Sequence, residues 1–330
     1  MKHVLISLLA GTTVAACQTT LQAPIIDAPE RISWEGSPRI IVRGLAPGET
    51  YELEAERVGV WDNQTTERSE LIYLADNRGR IDTSKLAPKD MDEADAYLPI
   101  RTMGLVRETL ADLEPGQLRL TVSDKTDAVI VERVVGIGPD LNAIETEMLS
   151  PSFPGAFVMK PAGAEEKLPV LVLLGGSEGG DGSARASGPL FAEQGFAVLG
   201  LPYYSPAWFG QQAQIPELPR GFTELPIDYL EGAVSEVRKR SDIKADKLLL
   251  MGGSKGAEYV LLAASLIPDS STGGGFCGIV ADVPSDVVWE GWGPGTAEGG
   301  TSGFSWRGEA LPFVPYVDMG RAWTAKTHTR

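Results

Sequence analysis

Ser254 stands in Gly252-Gly253-Ser254-Lys255-Gly256, directly after the apolar run 247–251 and before a segment carrying Val260, Leu261 and Ala264 at helical spacing. A G-x-S-x-G pattern alone is a weak signal, but between an apolar strand and an amphipathic helix it has the context of a nucleophile elbow. The glycines have a physical job: side chains at 252 and 256 would collide with the neighbouring strand and helix, and the serine is expected in strained backbone geometry. Such a turn sets the Ser254 hydroxyl near a helix N-terminus. The Lys255 N–H then points at a developing oxyanion, which the helix dipole further stabilises. The chemistry in view is attack of a serine on an acyl carbon.

An oxyanion needs a second donor, supplied by the loop after an earlier strand. Gly175-Gly176-Ser177-Glu178-Gly179-Gly180 follows the apolar run 168–174 and occupies that place, so the Gly176 or the Ser177 amide is the expected donor. Losing one such donor typically costs about 3 kcal/mol of transition-state stabilisation. Without chemistry, the same segments read as a Gly-rich strand–helix turn and a tight β-α connection or anion site.

These loops need elements to hold them. From about residue 150 the pattern alternates: strand 168–174, a short helix 187–194 stopped by Gly195, strand 196–201, a helix with Ile227, Leu230, Val234 and Val237 on one face, then strand 247–251. Strands alternating with helices indicate a doubly wound, mainly parallel sheet. Ahead of it, residues 32–150 show short β-branched or alternating runs around Ile41, Leu53, Ile72 and Leu120, with Ala46-Pro47-Gly48 and Asn77-Arg78-Gly79 at turns. That spacing suggests a small antiparallel β-sandwich. The stretch 150–155 reads as the boundary, with 151–330 as the α/β domain.

The 330 residues are 43% hydrophobic, enough for a sizeable core in about two domains, and carry a formal charge of −16. A strongly acidic surface opposes phosphate binding, so no nucleic-acid partner is expected. The chain starts with Lys2, an apolar stretch, and Val14-Ala15-Ala16 before Cys17, which looks like a bacterial lipobox. On that reading 1–16 is a signal peptide, Cys17 is the lipidated N-terminus of a linker 17–31, and the protein sits on a membrane facing the periplasm. Gln18 after the cysteine goes, in lipoprotein families, with the outer membrane. Cys277 is then the remaining cysteine, and its apolar neighbours predict a buried, structural thiol. With so few His and Cys residues no metal is expected, nor any cofactor, and no Gly-rich stretch has a P-loop ending.

Across most of the chain after residue 36 the sequence resembles the acyl-CoA thioesterase and bile-acid-CoA:amino-acid N-acyltransferase family. The resemblance is carried by Val42-Arg43-Gly44-Leu45-Ala46-Pro47, Met103-Gly104-Leu105, Gly195-Phe196-Ala197-Val198-Leu199 with Tyr203-Tyr204, Gly253-Ser254-Lys255-Gly256-Ala257-Glu258, and Arg307-Gly308-Glu309-Ala310-Leu311-Pro312. It implies an immunoglobulin-like domain followed by an α/β-hydrolase domain, with acyl thioesters cleaved through an acyl-serine on Ser254. Family members with cysteine at that place favour acyl transfer to an amino acid; serine tilts this chain toward hydrolysis and leaves an acyltransferase open. An exported location conflicts with a CoA substrate and leaves a simpler carboxylic ester open.

A serine nucleophile also needs a base and an acid, in the chain order Ser, Asp or Glu, His. The only two histidines are His3 and His328. The family's acid and histidine follow two further strands, whereas beyond the elbow only 276–283 reads as a strand. Neither residue is carried over, and the sheet is expected to be incomplete at its C-terminal edge. Asp282, Asp286 and Asp318 are acids on paper, more fitting as surface or capping carboxylates, and His328 lies in a polar tail unsuited to proton transfer. The stretch 289–306 reads either as an acyl-pocket lining or as a long loop. Two expectations therefore stand: a serine hydrolase, incomplete or inactive as this chain, or a lipid-anchored binding module that keeps the fold without turnover.

Overall fold

The computed structural model describes residues 23–33, 38–58, 66–106, 112–207, 212–272, 275–292 and 300–316. The chain divides into two compact units, one up to Ile137 and one from Gly138.

The first unit contains β1 (Ile25–Asp27), β2 (Arg31–Ile32), β3 (Ile41–Arg43), β4 (Thr50–Val58), β5 (Thr66–Leu74), β6 (Ile81–Asp82), a single-turn α1 (Leu98–Arg101), β7 (Gly104–Val106), β8 (Gln117–Ser123) and β9 (Val129–Ile137). Six strands form one sheet in the order β2-β9-β8-β4-β5-β7, and three form another, β1-β3-β6. One core lies between them, drawing Ile26, Val42 and Ile81 from the smaller sheet and Leu53, Tyr73, Leu118 and Leu120 from the larger. The period of two is what builds it: Tyr51, Leu53 and Ala55 of β4 are buried while Glu52 and Glu54 are only partly covered. Glu56, buried on the same strand, is held by the Arg68 guanidinium at 2.6 Å. β1 lies within the stretch read as linker, because Ile26 has a place in this core.

The second unit contains β10 (Ile144–Met148), β11 (Phe157–Pro161), β12 (Leu168–Leu174), α2 (Gly182–Glu193), β13 (Ala197–Gly200), β14 (Leu225–Pro226), α3 (Asp228–Val237), β15 (Ile243–Gly253), α4 (Lys255–Leu266), α5 (Asp269–Thr272), β16 (Gly278–Asp282), β17 (Phe304–Trp306) and β18 (Glu309–Ala310). Its main sheet runs β10-β11-β13-β12-β15-β16, parallel from β13 to β16 and antiparallel at β10 and β11. The expected boundary at 150 is therefore displaced to 137/138. The Pro- and Gly-containing stretch is the β10–β11 hairpin connection, closed by Leu149 N–H donating to Ala156 O at 2.8 Å; turn residues mark it, but not a linker.

The central strands β12 and β13 are apolar on both faces because both faces are covered. Leu173 packs with Ala184 and Ala192 of α2, whereas Val170, Val172 and Leu174 pack with Leu230 and Val234 of α3 and Val260 and Ala263 of α4. Helix α2 starts five residues before the expected 187. Its glycine- and serine-containing first turn carries no apolar period, and Pro189 lies inside it. No helix among the described residues is long and apolar enough to cross a membrane.

The chain order within the sheet locates the site. From β12 the chain crosses to β13 on one side and later returns as β15 on the other. The loops after β12 and β15 therefore diverge, and the crevice they leave at the strands' carboxyl ends is where ligands bind in open α/β sheets. Register keeps these ends level: Leu174 lies opposite Gly252, and Gly253 opposite Asp282.

Candidate active site

Ser254 caps the N-terminus of α4 with φ 51° and ψ −115°, a left-side conformation that non-glycine residues rarely adopt. Its N–H donates to Asp282 O at 2.8 Å, and its carbonyl accepts from the amides of Ala257 and Glu258. The strained residue is thus fixed from both sides, by an edge strand and by the first helical turn, and it is exposed. The two outer glycines are obligatory. A Cβ at Gly252 would stand 2.3 Å from Gly256 O, and one at Gly256 would stand 2.3 Å from Gly175 O. The inner Gly253 meets nothing within 4 Å. Lys255 opens the helix, so its N–H has no helical carbonyl one turn back, and it has no backbone partner among the described residues.

The glycine loop after β12 closes over this serine. A Cβ at Gly176 would lie 3.3 Å from Ser254 Cβ and 3.2 Å from Gly253 O, so any side chain there would press the two turns apart. Two tyrosines hold the loop by its carbonyls: the Tyr203 hydroxyl donates to Gly175 O at 3.1 Å and the Tyr204 hydroxyl to Ser177 O. Burial pushes both phenols up, and the Glu178 carboxylate acts in the same direction, so both remain protonated donors at neutral pH. Of the two amides expected to face an oxyanion, that of Gly176 is already engaged, donating to Glu178 Oε1 at 2.8 Å. The Ser177 N–H has no partner among the described residues.

The Lys255 side chain takes no part in this mouth. It turns inward, where Nζ meets Glu258 Oε2 at 2.6 Å and stands 5.4 Å from each of the Phe222 and Phe304 rings. Burial pushes the Glu258 carboxyl up, and the Lys255 ammonium pulls it back. Around the pair, Tyr204 contacts Phe222, Phe222 contacts Trp292, and Tyr259 meets Phe304 edge-on. Glu178 and Phe222 were missed by sequence reasoning. The signal for Glu258 was present, since Lys and Glu three apart share a helix face.

The stretch 289–306 is tied down at its described ends. Trp292 N–H donates to Phe222 O at 3.1 Å, Trp289 stacks on Tyr316 at 5.6 Å, and β17 joins β14 and β18 in a three-stranded sheet. Two strand pieces therefore follow β16 where the sequence showed none, each too short to register as a run. Arg307 and Gly308, at φ 50° and 82°, make the tight turn of the β17–β18 hairpin.

Asp282 reaches Ser254 through its carbonyl, while its side chain, like that of Asp286, is exposed. Asp318, His3, His328 and Cys17 lie outside the described residues. No group of three or more His, Cys, Asp or Glu is placed to hold a metal among the described residues. Cys277 corrects the sequence reading: it is exposed, its thiol donating to Asp246 O at 3.3 Å. The reason is the strand it precedes. Among the described residues β16 is the sheet edge, and Ile279, Val280 and Val283 are exposed there.

A mixed doubly wound sheet with a strained serine turn after one central strand and a glycine loop after its neighbour defines an α/β-hydrolase domain. Within that class the chain is similar in sequence to acyl-CoA thioesterases. It is 28% identical over 291 residues to human acyl-coenzyme A thioesterase 1, covering 81% of this chain and 63% of that protein. Human mitochondrial acyl-coenzyme A thioesterase 2 is likewise 28% identical over 291 residues, covering 81% and 55%. The chain thus spans less than two thirds of the length of these curated relatives. No protein-family model matches it. Among solved structures, a putative dienelactone hydrolase from Klebsiella pneumoniae subsp. pneumoniae is 20% identical, with a TM-score of 0.33 over 44% of this chain and 61% of that one.

Proposed function

We propose that this chain carries the nucleophile of an acyl thioester or ester hydrolase. Ser254 gives its proton to a base outside the described residues and attacks the acyl carbon, the Lys255 amide and a Gly176 or Ser177 amide hold the oxyanion, its collapse breaks the C–S or C–O bond and expels the thiol or alcohol, and water then cleaves the acyl-serine to a carboxylic acid. The observation that carries the reading is the positive φ of Ser254, held beneath the glycine loop. Strain of this kind, about 1–3 kcal/mol, is kept where surrounding structure over-determines it, commonly at active sites. The similarity to acyl-CoA thioesterases supports an acyl thioester substrate; serine supports hydrolysis over transfer to an amino acceptor.

The sandwich of the first unit is read as the immunoglobulin-like domain of that family, and Cys17 as the lipid attachment that holds the protein at a membrane facing the periplasm. A periplasmic site favours a simple carboxylic ester over a CoA thioester. A second reading, a lipid-anchored binding module without turnover, is favoured by one observation: the Gly176 amide is already engaged by the chain's own Glu178 carboxylate.

The test is hydrolysis of short and long p-nitrophenyl esters and acyl-CoAs by residues 18–330, alongside Ser254→Ala and labelling by a fluorophosphonate. Turnover or labelling that Ser254→Ala abolishes supports the hydrolase. A folded protein that neither turns over nor labels supports the binding module.

A further inference from the structure

The glycine loop already holds an anion, and that anion is part of the chain. Glu178 folds back so that Oε1 accepts the Gly176 N–H at 2.8 Å and also the Ser183 hydroxyl. Two donors converging on one carboxylate oxygen is the arrangement an oxyanion receives. The glycines make the approach possible: a Cβ at Gly175 would lie 2.6 Å from Glu178 Oε1, and one at Gly176 would lie 3.0 Å from Oε2. That same Gly176 position is 3.3 Å from Ser254 Cβ, so the carboxylate and the serine border one small space.

We propose that the loop Gly175 to Ser177 is a receptor for a carboxylate or oxyanion and that Glu178 is its resident ligand, which must leave before the Gly176 amide can serve any other anion. The consequence for catalysis rests on the hydrolase reading above; the occupancy of the loop does not. Glu178 is not what shapes the loop. The Tyr203 and Tyr204 hydroxyls hold its carbonyls from behind, and the Gly180 N–H is anchored on Tyr204 O at 2.9 Å. Glu178 itself is exposed, so its carboxylate can swing into water without unpacking the core.

The test uses the full chain, labelled with 15N, and two readouts. In the first, the Gly176 amide resonance moves in Glu178→Ala, moves less in Glu178→Gln, and returns toward its wild-type position as sodium acetate is titrated into Glu178→Ala; the wild-type resonance does not respond to acetate. In the second, fluorophosphonate labelling of Ser254 accelerates about tenfold in Glu178→Ala and is slowed again by acetate, as expected when a charged hydrogen-bond partner is removed from a donor. An amide resonance unmoved by Glu178→Ala, or blind to acetate in that variant, overturns the proposal. So does slower labelling of Glu178→Ala with an intact acetate response, since Glu178 would then be a brace. If the acetate response holds while no variant labels, the receptor stands and the hydrolase reading falls.

Discussion

Lys255 Nζ and Glu258 Oε2 lie 2.6 Å apart in the interior of the second unit, with the Phe222 and Phe304 rings each 5.4 Å from the ammonium. The pair sits on the first turn of α4, the turn that holds Ser254. Its Coulomb gain is offset by desolvation of both charges, so removing one partner is costly and removing both is not. Lys255→Met and Glu258→Leu are each expected to lower stability by about 3 kcal/mol, and the double substitution by less than either alone. Urea unfolding of the four proteins reads this; additive losses would show that the two charges do not depend on each other.

Ser254→Gly should separate strain from chemistry. Glycine adopts φ 51° freely, so the variant is expected to gain about 1 kcal/mol of stability, after its extra chain entropy, and to lose all fluorophosphonate labelling. Ser254→Ala should lose the labelling without the gain. Equal thermal midpoints for the two variants would contradict a strained elbow.

The three elbow glycines are not equivalent. Gly256→Ala drives a methyl to 2.3 Å from Gly175 O and Gly252→Ala drives one equally close to Gly256 O; both contacts are with backbone and cannot be relieved by a side-chain rotation. Each is expected to cost about 3 kcal/mol or to abolish soluble expression. Gly253→Ala meets open space and should change stability by less than about 0.5 kcal/mol. A comparable loss at all three positions would mean the turn is sensitive to something other than these contacts.

Asp242 ties the hairpin of the second unit to the strand bearing the elbow. It accepts from Arg240 at 2.8 Å and from Lys160 at 2.6 Å, and the Arg240 guanidinium, with Lys160 adding, holds its carboxyl well below the usual range. A carboxylate whose folded-state pKa is depressed contributes stability that is full above the unfolded value, about 4, and fades as pH falls toward the folded one. Asp242→Asn is expected to cost about 1–2 kcal/mol at pH 7, discounted for partial exposure, with the gap to wild type closing below about pH 4. A gap that stays constant from pH 7 to pH 3 would remove the charge from the explanation.

Some of the site was legible because it depends on local constraints. The elbow could be read from Gly252 and Gly256 because an apolar strand preceded them and an amphipathic helix followed, and a strand-to-helix reversal this tight excludes side chains at both places. The glycine loop could be read for the same reason. By contrast, no local pattern marks Glu178; only the folded loop shows its carboxylate bent back on Gly176. The boundary at 150 misled because proline and glycine mark a hairpin as readily as a linker, and strand pairing alone distinguishes them. Cys277 misled because its apolar neighbours promise burial on a central strand, while β16 lies at an edge.

The sequence by itself determined the order of elements, the two glycine turns and the residues of the strained serine, since those follow from side-chain periodicity and from the absence of Cβ atoms along a few consecutive residues. Tertiary structure decided what those turns face. That β12 and β15 are neighbours, that Ser254 is pinned to Asp282 and roofed by Gly176, and that the Lys255 ammonium lies near the Phe222 and Phe304 rings all require residues far apart in the sequence to meet. Such meetings are set by strand register and by how helices cover a sheet, and no local period encodes either.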